Sequence, residues 1–148
     1  LEEIPEAARL MEIKGVGVVT AAGFLSEAGD VRRFQSPRQI QKLAGHAIRE
    51  NSSGKHKGQT AISKRGRARL RAILFCASIA LAAKNPEFKA IHHYYTTRDR
   101  NPLKKKQSIV ALSCKLIRVF YAILTKGTAY DPEKLLGDIK RQPSAVAA

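Results

Sequence analysis

Apolar residues recur along this chain at intervals of three and four, and no stretch keeps the strict alternation of a half-buried strand. Leu1, Ile4, Ala8 and Met11 share one side of a first helix, which the segment Ile13-Lys14-Gly15-Val16-Gly17 breaks. Val18, Ala21, Ala22 and Leu25 predict a second helix over Val18 to Ala28, stopped by Gly29. Ser36-Pro37 reads as an N-cap with proline in the first turn, opening a helix to about Ala44 that Gly45 ends. After a long polar stretch, Leu70, Ile73, Leu74, Ala77, Ala80 and Leu81 predict a helix from about Arg67 to Lys84. Asn85-Pro86 breaks it and starts another, with Phe88, Ile91 and Tyr95 inward. A long helix follows to about Lys126, carrying Ile109, Leu112, Leu116, Val119, Phe120 and Ile123, and Gly127 ends it. Asp131-Pro132 caps a last short helix through Ile139. These elements predict an all-α fold: a helix-hairpin-helix, then a helical bundle with a basic loop between helices. One domain over 1–142 and a frayed tail over 143–148 are expected.

Charge changes the picture more than length does. The 148 residues suit one domain with a core of its own, but 27 Lys and Arg face only 12 Asp and Glu, a formal charge of +15. Such an excess opposes folding by self-repulsion and points to a polyanionic partner, with nucleic acid first. A membrane is not expected, because the longest apolar run, Ala72 to Ala83, is too short to span one and no basic amphipathic helix stands apart. Cys76 and Cys114 lie in apolar helical surroundings without C-x-x-C spacing, so buried free thiols in a reducing cytoplasm are expected. The chain opens on Leu1 rather than methionine, which predicts a piece of a longer product.

The excess charge is concentrated. Arg49 to Arg71 holds eight Lys or Arg (Arg49, Lys55, Lys57, Lys64, Arg65, Arg67, Arg69, Arg71), the lone acid Glu50, and Ser52, Ser53 and Ser63. Gly54 and Gly58 would let its backbone approach a ligand. Hydroxyls ringed by fixed positive charge suit a phosphate site, or a serine attacking a phosphodiester. A solvated basic loop would look the same. Arg67 and Arg71 are four apart and share a helical face, whereas Arg69 lies away from Arg71. Lys104, Lys105 and Lys106 form a second basic cluster near Tyr94 and Tyr95. Between the first two helices, Gly15 and Gly17 could aim free N–H groups at a DNA phosphate, or serve packing alone.

Other chemistries find no support in the sequence. His46, His56, His92 and His93 lack zinc spacing, the carboxylates are scattered, and Gly15-Val16-Gly17 does not continue into a nucleotide-binding glycine motif. No metal site is expected in this chain.

The order of the motifs resembles one family. Ile13-Lys14-Gly15-Val16-Gly17-Val18-Val19-Thr20-Ala21-Ala22, Phe34-x-Ser36-x-Arg38-Gln39 with Ala44-Gly45, and Asn51-Ser52-Ser53-Gly54 follow in sequence. Ile62-Ser63-Lys64-Arg65-Gly66 with Leu70-Arg71, then Lys105-Lys106, Lys115-Leu116 and Tyr121-Ala122-Ile123-Leu124, complete the series. Together they resemble the C-terminal domain of bacterial insertion-sequence transposases of the IS one-ten family, over about residues 10 to 131. The family often has leucine where this chain has His46 and proline where it has Ile48.

The resemblance implies DNA strand exchange by a recombinase that moves an insertion sequence. It implies an upstream DEDD domain carrying Mg²⁺, a guide noncoding RNA, homo-oligomers of the full-length protein, and a bacterial cytoplasmic, nucleoid-associated location. No cofactor is expected in this part, which alone should be inactive. The family's serine nucleophile falls by register on Ser53, with Ser52 its competitor. Arg49, Lys55, Lys64 and Arg67 would then balance phosphoryl charge, while Gly15, Gly17, Lys57, Ser63, Arg65, Arg71, Lys104, Lys105 and Lys106 would contact DNA. No local base for the serine is evident in the sequence. The alternative is a non-catalytic helix-hairpin-helix module that grips nucleic acid while chemistry happens elsewhere. A basic RNA-packing protein is a third reading, which leaves the glycine hairpin and the serine loop without a role.

Overall fold

Leu112, Leu116 and Phe120 fall on one side of the longest helix, α6 (Lys105–Lys126), and are fully buried. The other helices are arranged around that line. A computed structural model describes residues 5–46, 48–53, 56–62 and 66–141. In chain order they form α1 (Pro5–Met11), α2 (Val18–Ala28), a 3-10 turn (Val31–Arg33) and α3 (Pro37–Leu43). Strands β1 (Ile48–Ser53) and β2 (His56–Ile62) follow, then α4 (Ala68–Lys84), α5 (Pro86–Thr97), α6 and α7 (Pro132–Arg141). The fold is all-α in class, and α6 touches α1, α3, α4, α5 and the 3-10 turn.

Local signals place the helix ends. Gly29 takes a φ of 67° and its N–H reaches the Leu25 carbonyl, closing α2. Gly127, left-handed at φ 65°, does the same for α6 through Ile123. The Asn85 side chain accepts from the N–H groups of Glu87 and Phe88 at the start of α5 and donates to the Lys14 carbonyl at 2.9 Å. One residue thus caps a helix and anchors the α1–α2 turn. Ser36 stands at the N-cap of α3 without a capping hydrogen bond from its hydroxyl, contrary to the sequence expectation. The Gln39 side chain instead accepts from the Gln35 N–H.

α2 lies antiparallel against α4, and three positions mark the track. A side chain at Gly15 would meet Leu81, one at Gly23 would meet Ile73, and Glu27 pairs with Arg67 and Arg69. A neighbouring side of α4 packs on α6, where Ser78 and Ser113 meet at 2.9 Å in the core. Both hydroxyls are satisfied, Ser78 donating to the Leu74 carbonyl at 2.8 Å and Ser113 reaching the Ile109 carbonyl at 3.1 Å. Phe24 of α2 meets Phe120 edge-on at 4.9 Å between centroids, tying α2 to the central helix.

Two expectations change. Cys76 is exposed and Cys114 half-buried, so neither free thiol is the fully buried group the sequence suggested. α4 is apolar all round, and its outer side shows Ala72, Cys76, Ile79 and Ala83. The basic stretch is also more than a loop. β1 and β2 pair antiparallel as a two-stranded ribbon, a pairing that hydrophobic alternation does not announce because its residues are mostly polar on both faces. The expected frayed tail, 143–148, lies outside the described residues.

Candidate nucleic-acid interface

The ribbon leaves the bundle between α3 and α4, and its base is built from backbone. The Arg67 N–H donates to the Leu43 carbonyl at 2.8 Å, and Arg71 Nη1 reaches the Ala44 carbonyl at 3.3 Å. Gly66 has φ +142° and lies so close to α3 that a Cβ would run into the Leu43 carbonyl oxygen. Only glycine fits that crossing. His46, at the foot of β1, is 3% exposed, and neither ring nitrogen has a hydrogen-bond partner. Burial, and then the nearby Arg71 guanidinium, hold its pKa below the ordinary value of 6.5.

From this base β1 runs outward to Ser53. A six-residue strand rising about 3.3 Å per residue carries its last residue roughly 17 Å from its first. Ser52 and Ser53 therefore stand at the far end of the ribbon, where Ser52 pairs with Lys57 and Ser53 with His56. Among the expected site residues, Lys55, Ser63, Lys64 and Arg65 lie outside the described residues.

The arginines opening α4 group differently from the sequence expectation. Arg67 precedes the helix, so the face it would share with Arg71 does not form. Arg67 Nη1 and Arg69 Nε instead meet the two oxygens of Glu27, at 3.2 and 3.6 Å. Arg71 turns back to α3. Glu27 and His46 are parts of this site that sequence reasoning missed. Each acquires its role from a distant element, and no local pattern reports that.

The two glycines of the first turn also separate. Gly15 has φ +102° and packs where a Cβ would come within 3.0 Å of Leu81 Cδ2, so it serves close packing. Gly17 begins α2 with open space around it, and no side chain caps the helix. The first-turn N–H groups of α2 are thus left for an outside acceptor. Lys104, Lys105 and Lys106 are exposed at the start of α6, on a separate element from the ribbon. Arg98 lies over the Tyr95 ring at 5.5 Å, which keeps Tyr95 half-buried against the core.

α6 alone among the described helices has the length and apolarity to cross a membrane, and half of that window is buried inside the bundle. It is the core helix here.

Comparison with known proteins gives a consistent result. The sequence model of the transposase family IS116/IS110/IS902 matches residues 7–93, more than half of the chain. The transposase for insertion sequence element IS1111A of Coxiella burnetii is 32% identical over 124 residues, covering 82% of this chain and 34% of that protein. The pilin gene-inverting protein of Moraxella bovis is 30% identical over 127 residues, covering 84% of this chain and 38% of its own length. The transposase for insertion sequence element IS1328 of Yersinia enterocolitica is 29% identical over 128 residues, covering 84% and 37%. The chain spans about a third of the length of the curated relatives it matches.

Proposed function

Because this chain belongs to the IS116/IS110/IS902 transposase family, we propose that it is the serine-bearing, DNA-holding part of a recombinase that moves an insertion sequence. The observation that carries the reading is the placement of Ser53 at the outer end of a ribbon whose base is locked to the bundle. A nucleophile carried this way can enter a DNA backbone while the bundle stays outside. Ser53 attacks a phosphodiester and holds one strand end covalently until a second hydroxyl displaces it. Names among the relatives that include insertion-sequence transposition and pilin-gene inversion support strand exchange of this kind.

The surrounding cations balance phosphoryl charge. By sequence, Arg49, Lys55, Lys57, Ser63, Lys64 and Arg65 supply the basic surface around Ser53. Arg67 is held by Glu27, but its side chain is about half exposed, at 53%. An ion pair on such a surface is worth about 0.2–1 kcal/mol, so a DNA phosphate can take Glu27's place. The open first turn of α2 at Gly17, read as half of a helix-hairpin-helix, and Lys104, Lys105 and Lys106 hold further phosphates without reading sequence. An upstream DEDD domain with Mg²⁺, a guide RNA and a second protomer complete the working assembly.

A second reading has a specific observation behind it. The uncapped start of α2 alone would suit a non-catalytic phosphate-binding module. Covalent trapping separates the two. The full-length protein is given a nicked suicide duplex, Mg²⁺ and guide RNA, and wild type is compared with Ser52→Ala and Ser53→Ala. A protein–DNA adduct lost only in Ser53→Ala is expected. An adduct that survives both changes leaves only the binding module.

A further inference from the structure

From Ala72 to Ala83, α4 carries no charged residue on any side. A helix of that kind belongs where every side is covered. Here one side is open. Ala72, Cys76, Ile79 and Ala83 follow at intervals of four, three and four, so they share one face, and all four are exposed, Ile79 at 49%. That face runs roughly 16 Å along the helix.

α2 widens it. Gly15 stands at Leu81 and Gly23 at Ile73, so Val19, midway between the two glycines, borders the middle of α4. The core occupies one side of this helix pair, where Phe24 and Ala28 of α2 and Leu74 and Ser78 of α4 are buried. The open sides of both helices therefore lie together on the other, and Val19 is 82% exposed there. One exposed valine or isoleucine is ordinary on any protein surface. A continuous apolar set without a charge, on a chain of net charge +15, marks a contact surface.

Charge at the two ends selects the occupant. The Asn85 side chain holds the Lys14 carbonyl, which brings exposed Lys14 and Lys84 to one end. Arg67 and Arg69, with Glu27 between them, stand at the other. A nucleic acid finds no donor for its phosphates along the middle of the face. A second copy of this chain meets repulsion whichever way it crosses. Parallel, its lysine end falls on the lysine end; antiparallel, its lysine end falls on the arginine end. The surface that fits is apolar, with carboxylates where it reaches Lys14 and Lys84. The curated relatives run to about three times the length of this chain, so a polypeptide of that size carries most of its residues beyond this part. A surface tethered in the same polypeptide docks at high effective concentration.

We infer that the open α2–α4 face is the seat for a part of the full-length polypeptide outside these 148 residues, an apolar surface bordered by Asp or Glu. This rests on the proposed reading of the chain as one part of a longer recombinase. It leaves the ribbon and the Arg67 end clear for DNA.

The test uses the full-length protein without nucleic acid. Cys76, exposed in this fold, reports the cover through its reaction with a maleimide, followed on its own peptide by mass spectrometry. Cys76 should react roughly 10²-fold more slowly in the native protein than in the unfolded one. Val19→Lys, Ile79→Lys and Lys84→Glu should each speed the native reaction. Val19, Ile79 and Lys84 are exposed, so these changes leave the bundle itself intact. Benzoylphenylalanine introduced at Ala83 then identifies the occupant by photo-crosslinking. A linked peptide from outside these 148 residues, with acids beside the link, is expected. Native Cys76 reacting as fast as unfolded Cys76 overturns the inference. So does a crosslink to the same face of a second copy, or protection that appears only when DNA or RNA is added. None of these results touches the strand-exchange reading, which the Ser53→Ala trapping experiment decides separately.

Discussion

The backbone N–H of Arg67 donates to the carbonyl of Leu43 at 2.8 Å, joining the end of α3 to the residue ahead of α4 across the base of the ribbon. Everything proposed to touch DNA through the ribbon depends on that junction. Gly66 makes it possible, because any side chain there would strike the Leu43 carbonyl oxygen and would have to adopt φ +142°. Gly66→Ala should cost about 1–3 kcal/mol from backbone strain, with the clash in addition. Urea denaturation reads the loss directly, and wild-type stability would mean that the crossing is not held as described.

His46 should make the fold sensitive to acid. Its folded-state pKa is lowered, by burial first and Arg71 second, so the unfolded chain binds a proton near pH 6.5 that the folded chain refuses. The unfolded state then holds more protons, and stability falls as pH drops below about 6.5 until the folded group itself titrates. His46→Leu removes that proton and two unpartnered ring nitrogens, each of which costs about 1–3 kcal/mol when buried. The variant should be more stable than wild type at pH 7.5, and its advantage should widen at pH 5.5. Equal denaturation midpoints at both pH values would argue that the ring is satisfied.

The helix framework was legible in the sequence because its signals are local. Gly29, Pro86 and Gly127 stop or start helices through their own backbone preferences, and each does so in the structure. The inward face of α4 was legible as well, since Leu70, Leu74, Ala77 and Leu81 are buried as the spacing predicts. The exposure of Cys76 was not, because the outer side of this helix is also apolar and gives no polar mark of where solvent begins. The ribbon was hidden for the opposite reason, since Arg49-Glu50-Asn51-Ser52-Ser53 is polar throughout. Its pairing, and with it the partner of Ser53, depends on a bulge at Gly58 and Gln59, which belongs to the other strand.

Gly15 and Gly23 should respond differently to the same substitution. Gly15→Ala meets a φ of +102° and Leu81 at 3.0 Å, so a loss of about 1–3 kcal/mol is expected. Gly23 lies inside α2, where alanine gains about 0.8–1 kcal/mol of helix propensity. Its new methyl would approach Ile73 Cδ1 at 2.8 Å, the free end of a side chain that can change rotamer at a cost of about 0.5–1.5 kcal/mol. The two terms nearly cancel, so Gly23→Ala should leave the melting temperature almost unchanged. A large loss at Gly23 would show that α2 and α4 have no room to adjust.

Glu27→Gln bears most directly on the proposed DNA surface. The Glu27 carboxylate is 15% exposed and occupies both Arg67 and Arg69, which are largely in solvent. Removing its charge should cost the fold little, about 0.2–1 kcal/mol per pair, because the arginines are screened. The gain on DNA should be larger. Each arginine freed to reach a duplex phosphate adds about 0.9 to the slope of log affinity against log salt. Glu27→Gln should therefore bind duplex of any sequence more tightly at low salt and lose affinity more steeply as salt rises, with Arg67→Ala shifting the other way. Fluorescence anisotropy over a salt series measures both quantities. Unchanged slopes in the two variants would place Arg67 and Arg69 off the DNA path and leave them as a clamp between α2 and α4.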